Sequence, residues 1–271
     1  MRILFFSDMH FPYSKILNEE LLKARDELFF SFLDRVFEMK SDMVISLGDL
    51  VLRGFKEEMD EVYDRVVGSF YHILGNHDRA LFGLDELVDK KFRHGDSFFE
   101  FDLCDVILLE TAKDKNSDDW GGKLTSSQIL WLKSCVQTNT NKPLFIFAHH
   151  PVFDTVRKSN YDMYSISKSC EILPILRLRK NPVFYISGHT HTDDIIKDEN
   201  LFFISTSCVI DARMVRILEI SKDEILYKSI DLDSQSGIKY AKLLSQNLSD
   251  FNMSEFGVGG RFETNLRLKY G

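Results

Sequence analysis

Six short, largely apolar runs, at residues 3–6, 43–47, 70–74, 106–109, 144–148 and 183–186, punctuate the first two thirds of the chain. Three of them run directly into glycine or histidine, and two more reach aspartate or glycine after one serine. Runs of four or five residues bounded by turn formers read as buried strands. Between them lie helical patterns. Asn18 can cap a helix over 21–39, and Thr125 with Gln128 forms a capping box before 129–136. Residues 167–178 carry a third apolar face that Pro174 is expected to kink. This alternation predicts an α/β domain. After Thr192 the runs crowd together (195–196, 201–205, 214–220, 224–229), which predicts a second, mostly antiparallel sheet. The expected architecture is a four-layer αββα sandwich, two mixed β-sheets flanked by helices. Residues 1–233 form its domain, and 234–271 are an extension packed on it, with a helix at 238–244 and a loop over 252–260.

With 271 residues and 44% hydrophobic content, the chain can bury a large core. The net charge of −8 and pI near 5.5 argue against a surface built to neutralise nucleic-acid phosphates. No run approaches the eighteen apolar residues of a membrane helix, and the opening run reads as a first strand rather than a secretory signal. Cys104, Cys135, Cys170 and Cys208 are widely spaced with no C-x-x-C pair, as expected for reduced core thiols in a cytoplasmic protein.

The polar strand ends are the informative part: Asp8 and His10, Gly48-Asp49, Gly75-Asn76-His77-Asp78, His149-His150-Pro151, and Gly188-His189-Thr190-His191. In open α/β folds ligands gather outside the carboxyl ends of strands, so these five ends would converge on one crevice. Asp8 with His10, and His189 with His191, are spaced i to i+2. In extended backbone each pair would face one side and grip one metal. Imidazole nitrogen, carboxylate oxygen and one amide oxygen, without thiolate, suit Mn, Fe, Zn or Co.

Taken in order, D-x-H (8–10), G-D (48–49), G-N-H-D (75–78), H (149) and G-H-x-H (188–191) resemble the calcineurin-like metallophosphoesterase family. The resemblance implies the metallo-dependent phosphatase fold and a centre of two divalent ions. Asp8, His10 and His191 would hold the first, Asn76, His149 and His189 the second, and Asp49 would bridge. It further implies in-line attack of a metal-bridging hydroxide on a phosphate ester, with His77 as general acid and Asp78 holding its ring. Two divalent ions less two carboxylates leave a positive site within an acidic chain, which suits a small phosphate ester.

Departures narrow the branch. Gly48-Asp49-Leu50-Val51-Leu52-Arg53-Gly54 is similar to the G-D-x-x-D-R-G of Ser/Thr protein phosphatases, but Leu52 replaces the second Asp. Leu74 stands where those enzymes place Arg before G-N-H. Gly122-Lys123-Leu124, Gln128 and Trp131-Leu132 resemble the cyclic-nucleotide phosphodiesterase branch and purple acid phosphatases, whose Tyr ligand near Asp49 has no counterpart here, and the H-H-P step resembles class III cyclic-nucleotide and glycerophosphodiester phosphodiesterases. The expected activity is therefore on a small diester. The rivals are a phosphomonoesterase, a nuclease acting on polynucleotide ends and a non-catalytic scaffold, and homo-oligomerisation is left open.

Arg53, Trp120, His150, Arg157 and Lys158 border the expected crevice as substrate contacts. His72 and His94 read as structural, and Arg177, Arg179 and Lys180 as a solvated helix end.

Overall fold

The computed structural model describes residues 1–81, 95–113, 118–138, 141–251, 253 and 265–269. His94, residues 114–117 of the loop before Gly122, and 254–260 of the expected C-terminal loop lie outside the described residues.

Strands β1 (Arg2–Phe6), β2 (Met43–Ser46), β3 (Phe70–His72), β10 (Met214–Ile220), β11 (Glu224–Asp231) and β12 (Asn265–Lys269) form one sheet, in the order β12-β11-β10-β1-β2-β3. The other holds β4 (Ser97–Glu100), β5 (Asp105–Leu109), β6 (Leu144–Ala148), β7 (Val183–Ser187), β8 (Asp194–Asp198) and β9 (Leu201–Ser205), in the order β4-β5-β6-β7-β9-β8. Helices α1 (Glu19–Glu38), α2 (Lys56–Tyr63) and α5 (Ser234–Asn247) bury residues against the first sheet. Helices α3 (Ser126–Gln137) and α4 (Ile172–Leu176) do so against the second.

Period-two alternation builds these layers. In β1, Leu4 and Phe6 face the helices while Ile3 and Phe5 face the other sheet; in β6, Leu144 and Ile146 face helices while Phe145 and Phe147 face inward. Phe145, Phe184 and Phe202 stack at 4.8 and 4.7 Å along β6, β7 and β9, and Phe5 meets Phe147 edge-on at 5.4 Å across the sheets. Truncating such a ring to Ala costs about 3–5 kcal/mol.

The expected second, mostly antiparallel sheet does not form as such. The strands after Thr192 divide: β8 and β9 extend the sheet of β5–β7, whereas β10 returns antiparallel to β1 and carries β11 and β12 with it. Both sheets are therefore mixed, the first because β10 returns antiparallel to β1 and the second because β4 and β8 run antiparallel at its edges. Residues beyond 233 join the same layers, with Ala241 and Leu244 of α5 in the core beside α1 and β12 paired to β11.

Caps fall where the side chains dictate. Asn18 accepts from the Leu21 N–H at 2.9 Å, and Thr125 and Gln128 exchange reciprocal bonds. The expected 167–178 helix is instead broken at Glu171, whose φ is 46°, into a short 3-10 turn (Lys168–Cys170) and α4. Pro174 is the third residue of α4, where its missing N–H is harmless, but its ring would clash with the residue 170 carbonyl of a continuous helix. Arg179 is buried rather than solvated. Its guanidinium meets Asp105 at 2.6 Å and the Thr138 and Lys142 carbonyls, while Arg177 pairs at the surface with Asp198. Among the described residues no helix is long and apolar enough to cross a membrane.

Candidate metal centre

The carboxyl ends of β1, β2, β3, β6 and β7 deliver the five polar stretches to one cleft. At Asp8, His10, Asp49, His189 and His191 the backbone is left-handed, with φ between 48° and 64°. Each such residue costs of order 1 kcal/mol, and Asp and His are among the few types enriched there. The spacing argument from extended backbone is thereby corrected: Asp8 with His10 and His189 with His191 point inward because each left-handed residue turns the chain sharply. Glycine lets the strand ends close. A Cβ on Gly188 would lie 1.8 Å from Ser7 Oγ, and one on Gly75 would lie 2.1 Å from Asp49 Oδ1.

Two groups of acceptor atoms result. In the first, His10 Nε2 and His191 Nε2 face each other at 3.2 Å, with Asp8 Oδ1 3.3 Å from the His191 nitrogen and 4.0 Å from that of His10. In the second, His149 Nε2 lies 3.2 Å from Asn76 Oδ1 and 3.1 Å from His189 Nδ1. One atom, Asp49 Oδ2, touches both, 3.8 Å from His10 Nε2 and 3.4 Å from His149 Nε2.

Hydrogen bonds on the outer side settle what the second group offers. His149 Nδ1–H donates to the Leu47 carbonyl at 2.9 Å and His189 Nε2–H to the Met163 carbonyl at 3.0 Å, so the inward nitrogens of the neutral rings carry lone pairs. Acceptor then faces acceptor in a buried space, an arrangement that demands positive charge within it. The same demand shows in ionisation. Burial opposes a charged His149, yet the Asp49 carboxylate outweighs it and raises the imidazole to about 9, so a proton fills the gap when nothing else does. Burial and His149 push His189 down to about 4, and burial and His77 push His10 to about 3. Burial also works against an ionised Asp49, but His149 and His77 hold its carboxyl well below the usual range. Nitrogen and oxygen donors around a shared carboxylate fit divalent cations of the Mn, Fe, Zn or Co type.

His77 stands at the rim of the same cleft, its ring 4.6 Å from that of His10. Its backbone N–H donates to Asp49 Oδ1 at 2.8 Å and its Nδ1–H to the Leu52 carbonyl at 2.5 Å. The expectation that Asp78 holds this ring is therefore corrected. The Asp78 carboxylate points into the protein, accepting from Val51 N–H (3.1 Å), Gly75 N–H (2.8 Å) and His72 Nε2 (3.0 Å), and His72 Nδ1 in turn meets the Tyr63 hydroxyl at 2.8 Å. Adjacent residues in a tight turn point apart, so Asp78 shapes the loop that carries Asn76 and His77 rather than the ring itself. His72 is structural, as expected.

The cleft has a volume of ≈ 340 Å³ and is lined by the inward histidines, Asp49, Asn76, Ala80, Trp120 and Tyr164. Trp120 is 42% exposed and so open to a ligand. No lysine or arginine is among the described residues lining it. Of the expected substrate contacts only Trp120 is there. Arg53 forks onto Asp250, Lys158 reaches the Thr190 carbonyl at 3.3 Å, and Arg157 binds Asp194 through its backbone. His150 is fully buried, with Nε2–H on the Trp120 carbonyl (2.8 Å) and Nδ1 on the Thr111 hydroxyl (2.9 Å). With both nitrogens committed it fixes the backbone of Trp120 instead of meeting a substrate.

Sequence reasoning missed the Ser7 hydroxyl on Asp8, and Cys208 with Asp211, whose ligand atoms cluster with His191 within 4.8 Å. Cys208 is a buried thiol as expected, but one beside the centre.

Residues 1–193 match the family described as calcineurin-like phosphoesterase. A 3',5'-cyclic-nucleotide phosphodiesterase of Nostoc sp. is 22% identical over 185 residues, covering 66% of this chain and 68% of that protein. Among solved structures, a dimetal phosphatase from Danio rerio superposes with a TM-score of 0.68 at 15% identity, over 85% of this chain and 96% of that one. A purple acid phosphatase from yellow lupin (Lupinus luteus) seeds superposes with a TM-score of 0.61 at 11% identity, over 88% and 52%. At these identities the two structures share its fold.

Proposed function

This chain belongs to the calcineurin-like phosphoesterase family, and from that premise we propose that it is a cytoplasmic hydrolase of small phosphodiesters, cyclic nucleotides or glycerophosphodiesters, working with two divalent metal ions. The observation that carries the reading is the single oxygen, Asp49 Oδ2, facing both acceptor groups. Asp8, His10 and His191 would hold one ion, Asn76, His149 and His189 the other, and Asp49 both. When bound, the ions supply Lewis acidity toward phosphate oxygens and activate water as the nucleophile.

The remaining work falls to the chain. His77, fixed through Nδ1 by the Leu52 carbonyl, keeps Nε2 for a proton that it delivers to the departing alkoxide. Asp78 holds the backbone turn that aims it. Trp120 and Tyr164 offer flat apolar walls to the organic part of the ester. A cleft with no Lys or Arg among its described lining residues suits a phosphate of one negative charge better than one of two, which favours a diester. The cyclic-nucleotide phosphodiesterase among the relatives supports the same class.

The decisive experiment is a screen with Mn²⁺ of cyclic nucleotides, glycerophosphodiesters, monoesters and single-stranded DNA. Diester turnover is expected, and exclusive activity on monoesters or DNA would replace the reading. His77→Ala is expected to slow alkyl diesters about 10²–10⁴-fold while sparing aryl diesters, whose phenolate leaves unaided. Equal losses on both would remove His77 from the acid role.

A further inference from the structure

We propose that Asp250 sets which phosphate esters the cleft accepts, by holding Arg53 away from it. The proposal rests on the phosphoesterase reading above and adds a selectivity residue that lies outside the segment matching the family, residues 1–193.

Arg53 sits in the loop that follows β2, between two residues that touch the proposed acid. Leu52 offers its carbonyl to His77 Nδ1, and Gly54 packs so closely that a Cβ there would lie 2.6 Å from the His77 carbonyl oxygen. The loop backbone is fixed as well, because Glu58 Oε2 accepts from the Arg53 N–H at 3.0 Å and the Phe55 N–H at 3.1 Å. Arg53 is the cation of this loop that stands between the two residues touching His77, yet it does not line the cleft. Its fork is taken instead. Nε binds Asp250 Oδ2, and Nη2 binds Asp250 Oδ1 at 2.7 Å, the bidentate geometry that guanidinium also uses for phosphate.

Asp250 itself cannot drift. It follows α5 and is bracketed by Leu248 and Phe251, which are 8% and 1% exposed, and the Phe251 ring lies 6.2 Å from that of Phe29 on α1. The pair is part-exposed at the rim, with Arg53 at 29% and Asp250 at 40%, so a ligand can compete for the guanidinium.

Charge turns this contact into selectivity. A phosphate monoester carries close to two negative charges at neutral pH, and a diester carries one. With Arg53 neutralised, no lysine or arginine among the described lining residues meets the second charge, and the site favours diesters. Freed, the fork would bind two oxygens of a dianion by charge-assisted hydrogen bonds, changing the preference on the order of tenfold.

The test uses the full chain loaded with Mn²⁺. Asp250→Ala and Asp250→Asn are compared with the parent in kcat/KM for para-nitrophenyl phosphate over that for bis(para-nitrophenyl) phosphate. Calorimetric titration with inorganic phosphate provides a second readout. Both variants are expected to raise the monoester ratio and the phosphate affinity about tenfold, Asp250→Glu to restore the parent values, and the Arg53→Ala/Asp250→Ala double variant to lose the gain. An unchanged ratio and affinity in a folded Asp250→Asn protein would overturn the proposal, as would a gain that persists without Arg53. If no variant turns over either ester, the phosphoesterase reading falls, and the phosphate titration alone decides the role of Asp250.

Discussion

Two regions of this molecule bury charge in opposite ways. In two buried ion pairs outside the cleft lining, Arg179 meets Asp105 at 2.6 Å and Arg216 meets Asp193, each cation facing a carboxylate. At the strand ends, His149, His189 and Asn76 turn acceptor toward acceptor, and His10 and His191 crowd their Nε2 atoms together beside the Asp8 and Asp49 carboxylates. The first arrangement is balanced in charge as folded. The second is complete only with positive charge added, and its backbone is held left-handed at five positions. A closed network stabilises a fold, whereas an open one is built to receive something.

The largest expected effect is on the open network. Asp49→Asn removes the carboxylate charge that both groups share and puts an amide in its place. Diester turnover should fall about 10³-fold or more, since several kcal/mol of electrostatic stabilisation depend on the ions. Elemental analysis should show less than two metals per chain. A variant that keeps both metals and full rate would remove Asp49 from the centre.

The closed network predicts the reverse pattern. Asp105→Ala strands the Arg179 guanidinium with only carbonyls, and breaking a buried pair in this way costs about 3–5 kcal/mol. Urea denaturation should register that loss, while metal content and kcat of the remaining folded protein stay unchanged. If stability were unaffected but metal content fell, the two regions would not be independent.

The difference also explains what was legible in the sequence. The donor types and their place after apolar strands are local patterns, so the stretches that hold Asp8, Asp49, Asn76, His149, His189 and His191 could be picked out from strand ends, while their assignment to two ions came from the family resemblance. So could the Asn18 and Thr125 caps. Partnerships across the chain could not. Asp78 looks adjacent to His77 but bonds to His72 and Val51, Arg179 looks like a helix end but meets Asp105 from β5, and Arg53 is claimed by a residue 197 positions away. The split of β8–β11 between two sheets was hidden for the same reason, because periodicity marks a strand without naming its neighbour. Nothing in the spelling of D-x-H tells that both residues are left-handed.

Glu110 is a third case and sharpens the comparison at smaller amplitude. It follows β5, is buried, and accepts from the Leu74 N–H at 3.2 Å and the Gly95 N–H at 3.0 Å, donors without a full positive charge. Burial outweighs those bonds and raises its carboxyl from 4.5 to about 7. The folded protein thus holds a proton between pH 4.5 and 7 that the unfolded chain releases. The contribution to stability is fully present below 4.5 and lost as pH rises through about 7, at most about 3 kcal/mol. Glu110→Gln should remove that slope, because Oε1 alone reaches both the Gly95 and Leu74 donors and an amide oxygen can keep both bonds. Asp96 is also raised, chiefly by burial, and belongs to both proteins, so the informative quantity is the difference between their urea midpoints. That difference should be small at pH 5 and favour the variant at pH 8. Parallel curves would mean that the Glu110 proton is already lost at low pH, and that two peptide N–H groups satisfy a buried carboxylate as fully as an arginine does.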